Sequence, residues 1–399
     1  MAQIAIIGGG IGGLSTAIAL RHYGFETEVF EQAPALLDLG AAIALWPNAL
    51  RALQHLGIAD KILDAAGVMN EIRWLTFEGK TLNRVRIDNA ETPAVALHRA
   101  DLQKILLETV PQSTINLNCS FVGHEEADGI ITAKFANEKE VMCKILVGAD
   151  GIHSDVRAAI LDAALPHFRG YMVWRGISPS APKQFPYDAA VELHGAGKRF
   201  GLGPVGHGRV GWWAAANTDE DHWDRGRPRP HGSTRRSADE DVRGSSHNEL
   251  LELFDGWYEP VLELIKNTPP ASVLHTMATD RPSTTTWGRR TITLLGDAIH
   301  PTTPNLGQGG CLAIEDAVVL ARCLVKYGVG EAALRAYERA RYERTAAVAY
   351  ASRLYGQVGQ WHTSLAVTLR SKVFSFLLPS LLRQLMKVVF EYDAPGARI

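Results

Sequence analysis

Three glycines, Gly8, Gly10 and Gly13, stand in the spacing G-x-G-x-x-G, and an acid, Glu31, follows eighteen residues after the last of them. Residue types in this pattern can bind a dinucleotide. Gly8 permits the tight turn, Gly10 lets backbone approach a pyrophosphate, and Gly13 lets the following helix pack close to the strand. With Ile11 and Gly12 the turn opens a helix N-terminus, whose unpaired N–H groups and partial positive charge suit phosphate. Glu31, with Gln32 beside it, can accept hydrogen bonds from ribose hydroxyls, and its charge opposes a 2′-phosphate at this position. The motif alone leaves NAD and FAD both open.

The elements around these residues have the right order. Ile4–Ile7 is an apolar run suited to a buried parallel strand, Leu14–His22 reads as a helix, and Glu28–Phe30 as a second strand. Helices are expected over Asn48–Leu56 and Ala100–Val110, the latter ended by Pro111. Three strands are expected between Thr114 and Val147, and the last runs into Gly148-Ala149-Asp150-Gly151. Tyr171–Asn217 is β-rich and aromatic, which points to a separate antiparallel sheet. A helix over Glu249–Lys266 and a strand near Val273 precede Thr291–Leu295, and from Gln308 onward the pattern is mainly helical.

Asp224–His247 mixes arginines and acids with Pro, Gly and Ser and holds almost nothing apolar, so it reads as a flexible loop. The apolar stretch Val373–Leu382 is interrupted by Pro379 and followed by Arg383 and Lys387, too short and broken to cross a bilayer. It reads first as a helix packed on the protein's own core, with docking on a partner or a membrane surface as the other reading. No basic leader segment opens the chain, which fits a cytoplasmic protein. Net charge is −2, so no global field recruits nucleic acid or an anionic membrane. Cys119, Cys143, Cys311 and Cys323 show neither CxxC pairing nor metal-ligand spacing, so no metal site is expected.

Two later motifs narrow the chemistry. One is Gly148-Ala149-Asp150-Gly151, with Ser154 and Arg157 downstream. The other is Leu295-Gly296-Asp297-Ala298-Ile299-His300-Pro301, with Gly307-Gln308-Gly309-Gly310 after it. Together with the N-terminal glycines, and in this order, they resemble the group A FAD-dependent monooxygenases. That family includes salicylate, urate and 6-hydroxynicotinate hydroxylases and the related zeaxanthin epoxidase. Gly40-Ala41-Ala42-Ile43, Trp46-Pro47-Asn48 and Trp174-Arg175-Gly176 have counterparts there too.

The resemblance implies an α/β fold: a Rossmann-type FAD-binding domain of the glutathione-reductase-like kind, an inserted antiparallel substrate domain and a C-terminal helical region. The division expected is residues 1–165 with 287–345 for FAD, 166–286 for substrate, and 346–399 for the C-terminal helices. It implies that Asp297 holds the ribityl chain, that Arg99, with Gln103 one turn on, meets the FAD phosphates or ribityl chain, and that Pro301 lies near the flavin ring. Gly307, Gly309 and Gly310 bring backbone to the ring edge, where a helix N-terminus can stabilise negative charge. Asp150 and Ala42 join the cofactor set.

Arg199 matches a substrate-directed arginine of the urate hydroxylases, whereas Gly211 stands where those enzymes carry a tyrosine. Tyr171, Trp174, Arg175, His194 and Trp213 are further substrate candidates, each of which also reads as a core residue, and His300 reads as a hydrogen-bonded structural residue. The implied reaction takes NADH or NADPH and O2, and transfers oxygen through a flavin C4a-hydroperoxide to an electron-rich aromatic or unsaturated small molecule. Two other readings keep the fold: a flavin dehydrogenase or reductase, and a non-enzymatic redox sensor. A homodimer is compatible with either.

Overall fold

The computed structural model describes residues 2–36, 41–87, 92–219, 247–377 and 379–399. Asp224–Ser246 of the expected loop, and Gly40 of the family-like segment, lie outside the described residues.

The first sheet is built on strands with no polar face. Ala2–Ile7 pairs in parallel with Thr27–Phe30 on one side and Glu140–Gly148 on the other, and Ile292–Leu294 pairs in parallel with Glu140–Gly148. Ile4, Ile6, Ile145, Val147 and Ile292 are buried, as strands covered on both faces require. The helix Ile11–His22 packs beside the helix Gly309–Tyr327 against this sheet. Because the four strands run in parallel, their carboxyl ends share one edge, and Gly8, Glu31, Asp150 and Asp297 all follow those ends. One short strand was missing from the sequence reading. Ile115–Asn116 pairs in parallel with Thr27–Phe30, so four strands rather than three lie between Thr114 and Gly148.

The second sheet has seven strands, in the order Leu274–Asp280, His167–Ser178, Val210–Asn217, Lys198–Pro204, Ala189–His194, Glu71–Thr76 and Thr81–Arg86. Its pairs are antiparallel except Ala189–His194 with Glu71–Thr76. The last two strands come from the stretch that the sequence reading gave to the FAD unit. One face carries Met172, Trp174, Phe200, Leu202 and Trp212, and is covered by Phe254, Trp257 and Leu264. The expected single helix Glu249–Lys266 is two, His247–Leu253 and Glu259–Asn267. Between them Gly256 adopts a positive φ of 75° and Pro260 sits in the first turn of the second helix, so the chain turns there.

A small sheet of Ala42–Leu45, Ala94–His98 and Gly67–Met69 lies between the two. A Cβ built on Gly211 would collide with Ala42, one on Gly67 with Pro204, and one on Gly310 with Ile43. The first two approaches join the small sheet to the second sheet, and the third seats it on the helix Gly309–Tyr327.

Candidate active site

Both helices that reach the shared strand edge begin without a side-chain cap. Ile11–His22 starts at Gly10, Gly309–Tyr327 starts at Gln308, and neither has an acid in its first turn. Their first N–H groups therefore remain available to an anionic ligand. A Cβ on Gly13 would overlap the Gly8 carbonyl oxygen, whereas one on Gly10 meets no protein atom within 4 Å. The turn is closed on its inner side by packing and open on its outer side.

Glu31 does more than wait for a ligand. Its carboxylate accepts from the Gly9 N–H at 2.6 Å and from the Ala33 N–H at 2.9 Å, which braces the glycine turn. Each oxygen keeps a lone pair for a further donor. Asp297 projects outward from a buried strand end, with Oδ1 3.6 Å from where a Cβ of Gly309 would lie. Arg99 is exposed and its backbone N–H donates to Ala41, so the Arg99–Thr109 helix, with half-buried Gln103, adjoins the Ala42–Leu45 strand. Two buried donors near the Gly307–Gly310 loop, Trp46 Nε1 and Gln308 Nε2, have no protein acceptor. The Trp46 indole nitrogen lies 3.1 Å from the Cβ position of Gly307.

Asp150 has local partners. It accepts from Ser154 Oγ at 2.5 Å and from the Val156 N–H at 3.1 Å, and so fastens the turn into the Asp155–Ile160 helix. Burial pushes its carboxyl up to about 6 despite those hydrogen bonds.

A buried ionic cluster holds the Gly296–Pro301 turn from behind. Asp316 accepts from the Gly296 N–H at 3.1 Å, meets His300 Nε2 at 2.6 Å and accepts from Arg341 Nε at 2.6 Å. Burial alone would raise the Asp316 carboxyl, but His300 and Arg341 outweigh it and bring it down to about 2. Glu315 takes Arg341, Arg344 and Asn48 at 2.5, 3.0 and 2.6 Å. His300 is thus a structural partner, as its motif suggested.

Strand register decides where the substrate candidates point. Trp174 turns to the covered face, against expectation, whereas Arg175 pairs with Trp213, Trp213 with Gly201, and Arg199 with His194, so these four candidates share the other face of the second sheet. It is the face opposite the two covering helices, and Tyr171, Val173 and Ala215 lie on it too. The Trp213 indole lies across Gly201, whose absent side chain leaves room for it. Arg199 is fully buried and donates to Glu192 Oε1 at 3.1 Å, Gln360 Oε1 at 3.0 Å and Asn305 Oδ1 at 2.5 Å. Its guanidinium also stands over the rings of Tyr171, Trp213 and Tyr355 at 5.3 to 5.9 Å. Asn305 belongs to the loop after Pro301, so this bond ties the sheet to the cofactor edge. Tyr355 donates to Glu192 Oε2 at 2.6 Å. His194 is buried with no hydrogen-bond partner on either ring nitrogen, and burial holds its imidazole well below the ordinary value.

Glu192, Asn305, Tyr355 and Gln360 were not singled out from sequence. Glu192 carried a usable signal, since it alternates with His194 on a strand facing Arg199. Tyr355 and Gln360 arrive from the last turn and the C-cap of the helix Glu331–Gly359, more than 150 residues away in sequence, which no local pattern reveals.

A family model described as an FAD binding domain matches residues 1–259 and 265–353. The chain belongs to this family of FAD-dependent monooxygenases. The aurachin C monooxygenase/isomerase of Stigmatella aurantiaca is 35% identical over 381 residues, 94% of each chain. The 6-hydroxynicotinate 3-monooxygenase of Bordetella bronchiseptica is 30% identical, over 87% of this chain and 89% of that one. Among solved structures, Klebsiella pneumoniae HpxO complexed with FAD and uric acid superposes with a TM-score of 0.84 at 27% identity, covering 98% and 97% of the two chains. This flavoprotein is an enzyme of the hydroxylase type that acts on a small molecule. Its residues fit FAD: two uncapped helix N-termini converge on one edge, carboxylates flank them, and orphaned donors face the glycine loop.

Proposed function

We propose that the enzyme consumes NADH or NADPH and O2 and inserts one oxygen atom into an electron-rich aromatic or unsaturated small molecule. The observation that supports this best is the shared face of Arg175, His194, Arg199 and Trp213, tied to the cofactor edge by the Arg199–Asn305 hydrogen bond. When bound, FAD supplies hydride acceptance and O2 activation.

The chain's own residues bind and orient. The Gly8–Gly13 turn receives the pyrophosphate at a helix N-terminus, Glu31 and Gln32 take the adenosine ribose, and Asp297 takes the ribityl chain. Arg99 and Gln103 approach from the neighbouring helix, and Ala42 closes over the ring together with Pro301. Gly309 and Gly310, at the uncapped start of their helix, would offer backbone N–H groups to the ring edge, whereas the Gly307 N–H is donated to the Pro304 carbonyl and Gly307 would contribute only its lack of a side chain. Asp150 would shape the turn at the cofactor edge through Ser154 and Val156. The sheet face supplies a flat indole, Trp213, against which a planar substrate stacks, and the packed aromatic cage excludes water.

Arg199, buried beneath the rings of Tyr171, Trp213 and Tyr355, positions the wall by bonding Glu192, Asn305 and Gln360. A substrate other than urate is favoured, because Gly211 is approached so closely by Ala42 that a tyrosine side chain has no room there. We keep the division into residues 1–165 with 287–345, 166–286 and 346–399 as a proposal, with residues 71–86 assigned to the substrate sheet and the last boundary falling inside the helix Glu331–Gly359. No single described helix is long and apolar enough to cross a membrane, which is compatible with the cytoplasmic site proposed here. The test is to follow NADH and NADPH oxidation with aurachin C, 6-hydroxynicotinate and urate. Stimulation by a ring compound supports the reading, and none by any aromatic compound sinks it.

A further inference from the structure

The outer side of the Ser364–Phe376 helix is apolar where solvent should favour polar residues. Leu365, Leu369, Val373 and Phe376 recur at four-, four- and three-residue steps, which puts them on one face. They are 86%, 55%, 50% and 81% exposed. Leu381 and Val388 continue exposed apolar surface on the next helix, Pro379–Phe390.

The inner side of the first helix is already committed. Arg370 donates to the carbonyls of Gly359 and Gly195 at 2.5 and 2.7 Å, and Asn83 Nδ2 donates to the Phe374 and Leu377 carbonyls at 2.6 and 2.9 Å. The Phe374 ring packs on Trp74 and His194. The helix is thus clamped to the sheet, and its apolar stripe cannot turn inward.

Charge identifies the occupant. From Arg344 to Phe390 the sequence has six basic residues and no acid, in a chain whose net charge is −2. Arg344, Arg353 and Arg370 point inward to Glu315, Asp280 and backbone carbonyls. Lys372, Arg383 and Lys387 are exposed, and of these Lys387 has Glu391 at 3.8 Å. An apolar stripe rimmed by cations suits an anionic lipid surface, whereas a second copy would bring the same cations against their own kind.

We propose that these two helices dock the enzyme on an anionic membrane surface, lying in the interface rather than crossing it. At 13 and 12 residues each is too short to span. Docking also brings lipid to within one helix of the candidate substrate wall, since Phe374 touches His194.

The experiment is flotation of FAD-loaded enzyme with vesicles of phosphatidylcholine alone and of phosphatidylcholine with phosphatidylglycerol. The enzyme is expected to float with the anionic vesicles, less so as salt rises. Leu369→Ser with Phe376→Ser should cut flotation about tenfold or more while FAD content and melting temperature stay unchanged, because both side chains are exposed. Lys372→Glu with Arg383→Glu should remove the salt-sensitive part. Failure of the parent enzyme to float with either vesicle overturns the proposal, as does flotation of both variants equal to the parent's. An oligomer in solution that the Leu369→Ser, Phe376→Ser change turns into a monomer also overturns it, by assigning the stripe to a second copy.

Discussion

Single side chains at the site answer to different energetic terms. Asp297 projects from a strand end, so Asp297→Ala should remove a charged hydrogen bond to the cofactor and weaken FAD affinity by about 1–3 kcal/mol. Glu31 also braces the Gly9 and Ala33 N–H groups, so Glu31→Ala should lose both FAD affinity and turn order. Flavin titration against apoprotein measures the first, and full FAD occupancy in both variants contradicts the assignment.

Arg199 behaves differently because it is buried against Glu192. Removing it strands a carboxylate whose charged form burial already disfavours. Arg199→Ala should therefore destabilise the fold by about 3–5 kcal/mol, and Glu192→Gln in the same chain should restore much of that. A single Arg199→Ala variant that melts like the parent would remove Arg199 from the cluster. The sequence was legible enough to mark Arg199, Trp213, Arg175 and His194. Their common face became visible only with the register, since a one-residue slip moves every side chain to the other side. The Glu192 carboxylate and the Tyr355 hydroxyl, which complete the cluster, meet only through tertiary packing.

Among the elements, the strand–turn–helix junctions were the most legible, because glycine spacing and apolar runs reflect local sterics. Gly13→Ala should cost about 1–3 kcal/mol and release FAD, as its Cβ would overlap the Gly8 carbonyl oxygen. Purification of this variant with full flavin would contradict the reading of the turn. The helix pair after residue 247 was less legible, since Gly256 and Pro260 lie inside one apolar period and only the positive φ shows that the chain breaks there.

The Gly309–Tyr327 helix is anchored by Asp316, whose carboxyl is held at about 2, below its ordinary 3.8. A depressed folded value means that this stability is present above pH 4 and is lost as the pH falls from about 4 through about 2. Asp316→Asn should lower the melting temperature at pH 7 and flatten its dependence on pH in that acid range. An unchanged acid profile would show that the anchor lies elsewhere.

At the scale of the molecule, the parallel sheet brings Gly8, Glu31 and Asp297 to one edge, and the antiparallel sheet turns its open face toward the loop after Pro301. Fold class was readable from motif order along the chain. The entry of residues 71–86 into the second sheet was not, because a parallel pairing with Ala189–His194 links segments more than 100 residues apart. The account stands or falls on whether oxygen from O2 reaches a bound small molecule. The most direct measurement is single-turnover reaction of the FAD-loaded enzyme with NADH or NADPH, a stimulating ring compound and ¹⁸O₂, with mass spectrometry of the product. The account predicts one labelled oxygen atom per product molecule. Reduced nicotinamide consumed with product free of label, or with hydrogen peroxide as the sole fate of the oxygen, would contradict it.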